Sequence, residues 1–496
     1  MRIITPLVLC CTIGCGPKPR GSVSPSTPAD PFAEIERRYA SFRGPLMLNA
    51  WNQAVGEPTK DLTDLESDQI AFFSDETVNQ QLADLSKSED AAIQERAQGW
   101  IRLRKQDGMQ QHESIVPLTT KIVEAMDGAP DHPLHGTGAL MTIYSSDDPV
   151  ARDEALKEIQ QRSSTMLPIL AERSVALNQL AQSHGYADFV HAQTGLPVQA
   201  ATQQIEETCS AQLESTQSDW ERLLQRGEKK LGRTSTDADW VSLSTSWSAE
   251  AGFFLKSDAF YPLSGRALKK MGFDLDAMNI EIRETPGQPG GAAYDISVPD
   301  DIRFHGHFMD GFEGARGWFH ELGHAVHMKE VKETQAPFNE LPFERALSEG
   351  VGEVFGAIVR DAAWIEAEFP DLNEEQLADY VAATKGLDAI VLRYNCYQTR
   401  LELALYAGEL DVERLNTIHK DVFGSPAKYG ATYPMYIYLG RPLYIWEYVI
   451  SSVVTNTLLE QLGGQSLVSQ EGGSILRTKM LAPGAKLTLK DYLENP

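Results

Sequence analysis

The stretch His320-Glu321-Leu322-Gly323-His324 is an HExxH motif, and it constrains the fold of this chain more than any other segment. On a helix, His320 and His324 lie one turn apart on the same face, so both imidazoles can reach one cation. Glu321 lies beside them, where it can take a proton from a metal-bound water. The motif therefore predicts a helix with two zinc ligands and a general base. The alternative is a coincidental helix with two surface histidines.

A second helical pattern follows at residues 344–358, where apolar side chains recur at helical spacing. Glu349 and Glu353 lie one turn apart in it, so Glu349 can complete a His₂Glu site while Glu353 accepts the free ring N–H of a ligand histidine. Gly350 and Gly352 weaken a helix, and close helix–helix approach around a metal would explain them. This predicts one Zn²⁺ per chain. The alternative is that both glutamates belong to a solvated helix face.

Composition fits a soluble globular protein and limits the partners. The 496 residues are 42% hydrophobic with a mean hydropathy of −0.30. The net charge of −26 argues against nucleic acid as a partner, because phosphates would be repelled. We expect a monomer.

The N-terminus differs in character from the rest of the chain. Arg2 is followed by an apolar run that ends at Gly14-Cys15, which predicts a signal peptide over residues 1–15. The end of this run is similar to the lipobox of bacterial lipoproteins, with Cys15 as the lipidated residue. Residues 16–31 are rich in Pro and Ser and predict a disordered tether. We therefore expect a protein of the bacterial cell envelope that contacts the membrane only through the lipid on Cys15. The alternative is a secreted protein.

Two cysteines, Cys209 and Cys396, follow this segment. They could pair in an oxidising compartment, but their spacing does not require it, and we expect two buried free thiols.

Residues 32–496 predict one large, mainly α domain with a small sheet. Short strands are expected near residues 279–283, 293–298 and 302–308, where the apolar period changes to two. The zinc helix is expected over residues 314–331. Other helices are expected over these ranges: 32–54, 91–106, 149–183, 203–232 and 240–257.

The run from Gly317 to His327, with Ser348-Glu-Gly-Val-Gly-Glu353, resembles the angiotensin-converting enzyme (peptidyl-dipeptidase A) family, and thimet-type oligopeptidases have a similar zinc helix. The resemblance extends in patches over about residues 150–465. It implies a two-lobed helical shell around a deep channel with zinc on its floor. It also implies that Ala293, on a short strand before the zinc helix, contacts substrate. At Gly290, where the converting enzymes carry a substrate-binding histidine, this chain has no side chain.

The resemblance assigns His320, His324 and Glu349 as zinc ligands and Glu321 as the base. It places Glu353 where its carboxylate can contact a ligand histidine on the side away from the zinc. It also implies a tyrosine that stabilises the oxyanion. Tyr444 and Tyr448 share a predicted helix face; alignment from Ser451 favours Tyr448, whereas the oligopeptidase pattern favours Tyr444. Tyr436 and Tyr438 are candidate substrate contacts. Core packing is the competing interpretation for this tyrosine-rich segment.

The expected activity is zinc-dependent hydrolysis of short peptides, in the manner of a peptidyl-dipeptidase. Endo-cleavage of oligopeptides and carboxypeptidase action are alternatives, as is a lipid-anchored binding protein that keeps zinc but does no chemistry. Capture of a substrate carboxylate needs a cation, for which Lys428, Arg441 and Arg400 are candidates. His305 and His307 share one strand face and either point into the channel or lie on the surface of an edge strand.

Overall fold

The computed structural model describes residues 30–112, 114–128, 132–135, 138–285, 290–332, 337, 345–430 and 442–494. The predicted signal peptide with Cys15, and residues 16–29 of the predicted tether, lie outside this part of the chain. Within the described part, no helix has both the length and the apolar character needed to cross a bilayer.

Helices make up the described chain before the first strand. Helix α7 has the bounds predicted for residues 149–183. The helices are α1 Ala33–Ala54, α2 Thr63–Ser74, α3 Glu76–Leu85, α4 Ala91–Gly108, α5 Val116–Asp127, α6 Gly138–Ser145, α7 Pro149–Ser183, α8 Phe189–Thr194, α9 Val198–Ser215, α10 Gln217–Leu231, α11 Asp237–Ala251 and α12 Phe260–Lys270.

The single helix predicted over residues 203–232 is wrong, because α9 and α10 are separate helices that meet at Thr216. The buried side chain of Arg393 donates hydrogen bonds to Thr216 Oγ1 at 3.0 Å and to Gln217 Oε1 at 2.7 Å. The Thr216 hydroxyl also donates to the carbonyl of Gln212. The break is therefore fixed by a contact from a distant part of the chain, which helical periodicity does not reveal.

The small sheet is formed by the chain between α12 and the HExxH helix. Its strands are β1 Glu281–Glu284, β2 Gly290–Ser297 and β3 Asp301–His307, in the order β1-β3-β2. β1 runs parallel to β3 and β2 antiparallel to it, with Ala293 opposite Phe304. β2 is therefore an edge strand, and β3 is the central one.

Helix α1 fixes strand β2 through a buried ion pair. Arg43 Nη2 lies 3.2 Å from both carboxylate oxygens of Asp295, and both side chains are buried. A buried charge is tolerated only with such a partner. The N-terminal helix thereby contributes to the position of the strand that packs against the HExxH segment.

The second set of helices carries the candidate site. Helix α13 (Phe312–Glu330) begins close to residue 314, where the zinc helix is expected to begin. Helix α14 (Arg345–Gly356) corresponds to the second helical pattern, predicted at residues 344–358. The helices are α13 Phe312–Glu330, α14 Arg345–Gly356, α15 Ala362–Glu368, α16 Glu374–Tyr406, α17 Val412–Phe423, α18 Tyr444–Gln461, α19 Gln470–Leu476 and α20 Leu489–Glu494.

The apolar face of α13 lies in the largest hydrophobic core. Phe319, Leu322 and Val326 are fully buried there, together with Phe304 from β3 and Phe355 from α14. This burial holds the HExxH helix between the sheet and α14. The prediction of a mainly α fold with a small sheet beside the zinc helix is confirmed.

The expectation of two free thiols is wrong, because Cys209 and Cys396 form a disulfide. It joins α9 to α16 with a Cα–Cα distance of 5.6 Å, and both residues are fully buried. The tertiary packing of these two helices brings together cysteines that are 187 residues apart in the chain. Such a distant pair cannot be derived from spacing alone.

We expect the paired substitution Cys209→Ala with Cys396→Ala to lower the free energy of unfolding by about 2–4 kcal/mol, because the disulfide restricts the unfolded chain. Urea unfolding with and without a reductant measures this. The reductant should shift the midpoint of the wild type but not that of the double variant. An unchanged wild-type midpoint under reducing conditions would contradict the prediction.

Candidate metal centre

Two helices cross at a glycine to form the site. A Cβ on Gly352 of α14 would lie 2.6 Å from Cε1 of His320 on α13, and one on Gly350 would lie 2.7 Å from Cγ1 of Val454. Real Cβ atoms do not approach other atoms this closely. The absence of side chains lets α14 pack against the imidazole of His320 on one side and against α18 on the other. The predicted reason for the two glycines, close helix approach, is confirmed.

The three predicted ligands lie together and are buried. The two imidazole Nε2 atoms, of His320 and His324, are 3.1 Å apart. Glu349 Oε2 lies 3.3 Å from His320 Nε2 and 3.7 Å from His324 Nε2. All three groups thus direct one ligand atom toward a common point.

This geometry fits a tetrahedral zinc ion. Zinc–ligand bonds of about 2.0–2.2 Å place neighbouring tetrahedral ligand atoms roughly 3.3–3.6 Å apart. The three observed separations are close to this range. In addition, Glu349 Oε2 is buried without a well-aligned hydrogen-bond donor among the described residues. Burial opposes ionisation of Glu349, but the nearby imidazoles of His320 and His324 hold its pKa well below the usual range. The donor set is therefore a carboxylate and two imidazoles, as zinc prefers.

Glu353 lies behind His320, as predicted. Its Oε1 is 3.4 Å from His320 Nδ1, the ring nitrogen that faces away from the ligand cluster. Arg316 Nη2 lies 2.7 and 2.8 Å from the two oxygens of Glu353. Burial raises the pKa of Glu353, but the charge of Arg316 and the contact with His320 lower it further, to a net value below the usual range. A carboxylate held in this way fixes the orientation of the ligand ring.

Sequence reasoning missed Arg316. The available signal was its position, one helical turn before His320 and on the same face of the predicted helix, where a cation could meet Glu353. Recognising it required knowing how α13 and α14 cross.

Glu321 lies next to strand β2. The backbone N–H of Ala293 faces its carboxylate and lowers its pKa slightly. Burial raises the pKa of Glu321, and the nearby charges of His320 and His324 oppose that rise in part. A half-buried carboxylate with a raised pKa, next to a candidate metal site, is suited to accept a proton. The structure thus brings Ala293 close to Glu321.

The first turns of α18 place two tyrosines near the centre. The Tyr448 ring stacks on the imidazole of His320, with centroids 6.2 Å apart and an interplanar angle of 22°. The hydroxyls of Tyr444 and Tyr448 are 2.7 Å apart. Tyr444 is buried and Tyr448 is partly exposed. Both tyrosines share one helix face, and the structure shows a ring contact between Tyr448 and a ligand histidine.

Some candidate residues lie elsewhere. Of the two alternatives for His305 and His307, the surface of an edge strand is wrong, because β3 is the central strand. The ring nitrogens of His305 contact Thr285 Oγ1 at 3.0 Å and the Tyr294 hydroxyl at 3.1 Å. Burial lowers the pKa of His305 to about 4, so its imidazole is neutral at physiological pH. This histidine is a packed, hydrogen-bonded residue of the sheet.

The candidate cations do not form a cluster in the described part of the chain. Lys428 pairs with Asp153 on α7, and Arg400 pairs with Glu206 on α9 at 2.6 Å. The remaining candidates Arg441, Tyr436 and Tyr438 lie outside the described residues.

Comparison with known proteins relates the fold to that of peptidases. No protein-family model and no curated protein sequence matches the chain. Among solved structures, the M32 carboxypeptidase from Deinococcus radiodurans R1 has a TM-score of 0.61 at 16% identity, covering 94% of both chains. The metallocarboxypeptidase 1 of Trypanosoma cruzi has a TM-score of 0.60 at 16% identity, covering 94% of this chain and 95% of its own.

A protein from Bacillus anthracis str. Ames described as an oligoendopeptidase F has a TM-score of 0.59 at 14% identity, covering 93% of this chain and 86% of its own. The chain therefore shares its fold, over nearly its whole length, with metallocarboxypeptidases and an oligoendopeptidase. At this level of identity the likeness establishes the fold, while the activity has to be argued from the site.

We expect Glu349→Ala to lower the zinc content well below one ion per chain, because it removes the only carboxylate of the three-ligand cluster found in the described residues. Elemental analysis after dialysis measures the content. Glu366→Ala, an exposed glutamate on α15, is the matched control and should keep the wild-type content. Full zinc loading of Glu349→Ala would remove Glu349 from the ligand set.

Proposed function

We propose that this protein is a zinc-dependent peptidase that hydrolyses short or unfolded peptides. One observation carries the proposal: a half-buried carboxylate of the HExxH helix, Glu321, adjoins the cluster of His320, His324 and Glu349, and the ring of Tyr448 stacks on His320. A purely structural zinc site has no use for a base next to an open coordination position. The full-length likeness to metallopeptidase folds supports the same conclusion.

Each side chain then has a defined role. Zinc, when bound, supplies Lewis acidity that polarises the scissile carbonyl and acidifies water. Glu321 accepts the proton of the attacking water and delivers it to the leaving amine. Tyr448 donates a hydrogen bond to the oxyanion as it develops, and Tyr444 orients the Tyr448 hydroxyl through their 2.7 Å contact. Arg316 and Glu353 keep the imidazole of His320 in the orientation that zinc binding needs.

The open edge of β2 provides a place for the substrate backbone. The N–H of Ala293 points toward Glu321 and therefore away from β3. Because the N–H and C=O of one strand residue point to the same side, the Ala293 carbonyl also faces the open edge. We propose that a peptide adds along this edge, with a backbone N–H donating to the Ala293 carbonyl beside the base. Tyr438 remains a proposed substrate contact.

Release of C-terminal dipeptides is the mode that we propose, by the resemblance to peptidyl-dipeptidases. Carboxypeptidase action is the second candidate, favoured by the fold likeness to carboxypeptidases from two organisms. Mass spectrometry of the products from peptides with a free or an amidated C-terminus separates the modes. Dipeptide loss supports the first, and single-residue loss the second. Internal cleavage that tolerates the amide indicates an endopeptidase. Zinc-loaded protein that cleaves no peptide would indicate the non-catalytic binding protein.

We also propose that the protein acts in a bacterial cell envelope, anchored by lipid on Cys15. The Cys209–Cys396 disulfide supports export, because structural disulfides persist mainly in oxidising compartments. Mass spectrometry of the mature N-terminal peptide tests the anchor. A free, unmodified N-terminus beyond Cys15 would indicate a secreted enzyme instead.

We expect Glu321→Gln to keep its zinc but lose about 10²–10⁴-fold in kcat, because the near-isosteric amide cannot accept a proton. Steady-state hydrolysis of a fluorogenic peptide by zinc-loaded protein measures this. Glu330→Gln, at the end of the same helix, is the matched control and should keep the wild-type rate. A zinc-loaded Glu321→Gln variant with full activity would refute the mechanism.

We expect Tyr448→Phe to lower kcat by about 10²–10³-fold with little change in KM, as for a donor that acts mainly in the transition state. Tyr444→Phe should lower kcat by a smaller factor, because it removes only the hydrogen-bond partner of the Tyr448 hydroxyl. Comparing both variants at equal zinc content tests the assignment. If the large loss occurs in Tyr444→Phe instead, Tyr444 is the oxyanion donor.

A further inference from the structure

The start of helix α18 depends on a carboxyl group from another helix. The backbone N–H of Leu443, the residue before the first turn, donates to Glu402 Oε1 on α16 at 2.9 Å. The N-cap residue Leu443 has no side-chain acceptor that could cap this end. The first N–H groups of a helix need external acceptors, so Glu402 serves as a cap supplied from a distance of 41 residues in sequence.

The backbone conformation of Leu443 requires a stabilising contact of this kind. Leu443 has a φ of 65°, in the left-handed region that L-residues with side chains adopt at a cost of roughly 1–2 kcal/mol. Strained backbone of this kind persists only where surrounding contacts over-determine it. The contact with Glu402 is one of those contacts, and the side chain of Leu443 is itself buried.

A second restraint holds the same turn. Glu447 on α18 lies 3.5 Å from Arg345, which stands one helical turn before the ligand Glu349 on α14. The first turn of α18 is thus linked to α16 through Glu402 and to the ligand helix through Arg345. Tyr444 is the first residue of α18, and Tyr448 follows one turn later.

Burying the carboxyl group of Glu402 costs free energy that an apolar side chain at the same position would not. Its side chain is 3% exposed, and Oε2 has no hydrogen-bond partner among the described residues. Burial and the charge of Glu447 raise its pKa to about 8, against a lowering by the Leu443 N–H and by Arg173 on α7. A buried, half-satisfied carboxyl group stabilises a core less than an apolar side chain of similar volume does.

We propose that Glu402 is a positioning residue, which fixes where α18 begins and thereby places the Tyr444–Tyr448 hydroxyl pair beside His320. The proposal rests on the proposed peptidase function, since the tyrosines matter only if they act on a reacting carbonyl. Glu402 itself contacts neither the ligands nor, on this geometry, the substrate. Its effect is transmitted through the backbone of Leu443 to the two tyrosines.

The test compares Glu402→Met with Glu402→Gln. Glu402→Met removes the acceptor but fills the volume, so we expect kcat to fall about 10–100-fold through misplaced tyrosines. Its zinc content and KM should stay close to those of the wild type, and its thermal midpoint should stay the same or rise. Glu402→Gln keeps an acceptor oxygen and should retain most of the activity. Thr399→Val, which removes a buried hydroxyl from the same helix, is the matched control and should be unaffected.

Non-additivity separates a positioning role from general damage. In a Tyr444→Phe/Tyr448→Phe background, Glu402→Met should cause no further loss of kcat, because the groups through which it acts are gone. An unchanged kcat in Glu402→Met, or an equal loss in the double-Phe background, would overturn the proposal. If Glu402→Met does not fold, Glu402→Asp, which withdraws the carboxyl by one methylene, replaces it in the same comparison.

Hydrogen exchange gives a readout that does not depend on activity. We expect faster exchange of the amides of residues 443–448 in Glu402→Met but not in Glu402→Gln, with α13 unchanged in both. If the wild type cleaves no peptide while this exchange pattern appears, the proposed function fails and the positioning of α18 stands. If the exchange of these amides is the same in all variants, the positioning role fails whatever the activity.

Discussion

The close packing of α14 against the HExxH helix is the constraint on which the candidate site depends. Gly352 leaves room for the ring of His320, so that Glu349, less than one turn earlier, can meet both imidazoles. A methyl group at position 352 would push the two helices apart and widen the 3.3 Å separation between His320 Nε2 and Glu349 Oε2. Metal–ligand bonds tolerate displacements of only about 0.2 Å, so the glycine is as necessary as the ligands.

Around this contact, each functional side chain is fixed by an element other than its own. Strand β2 places the Ala293 N–H next to Glu321, and β2 is in turn held to α1 by the buried Arg43–Asp295 pair. Arg316 secures Glu353 behind His320. The start of α18 is fixed by Glu402 of α16. Preorganisation of this kind limits the motion of catalytic groups, which is what a site needs in order to stabilise charge as it develops.

Much of the core site could be predicted because its signals are local. The HExxH spacing, the second glutamate pair and the two glycines lie on two helices, and helical periodicity alone places their side chains on defined faces. Periodicity failed where a contact with a distant part of the chain determines the local structure. Arg393 contacts Thr216 at the break between α9 and α10, and the position of β3 within the sheet makes His305 an internal residue. Periodicity carries no information about such partners.

The sequence by itself determined the mainly helical class, the small sheet and the grouping of His320, His324 and Glu349, because these depend on spacing within short segments. Only the tertiary structure decided the pairing of Cys209 with Cys396, the role of Arg316 and the relation of Tyr448 to His320. Each of these depends on the relative placement of elements far apart in the chain. That placement follows from the packing of whole apolar faces, which is a sum of many weak contacts and leaves no short pattern in the sequence.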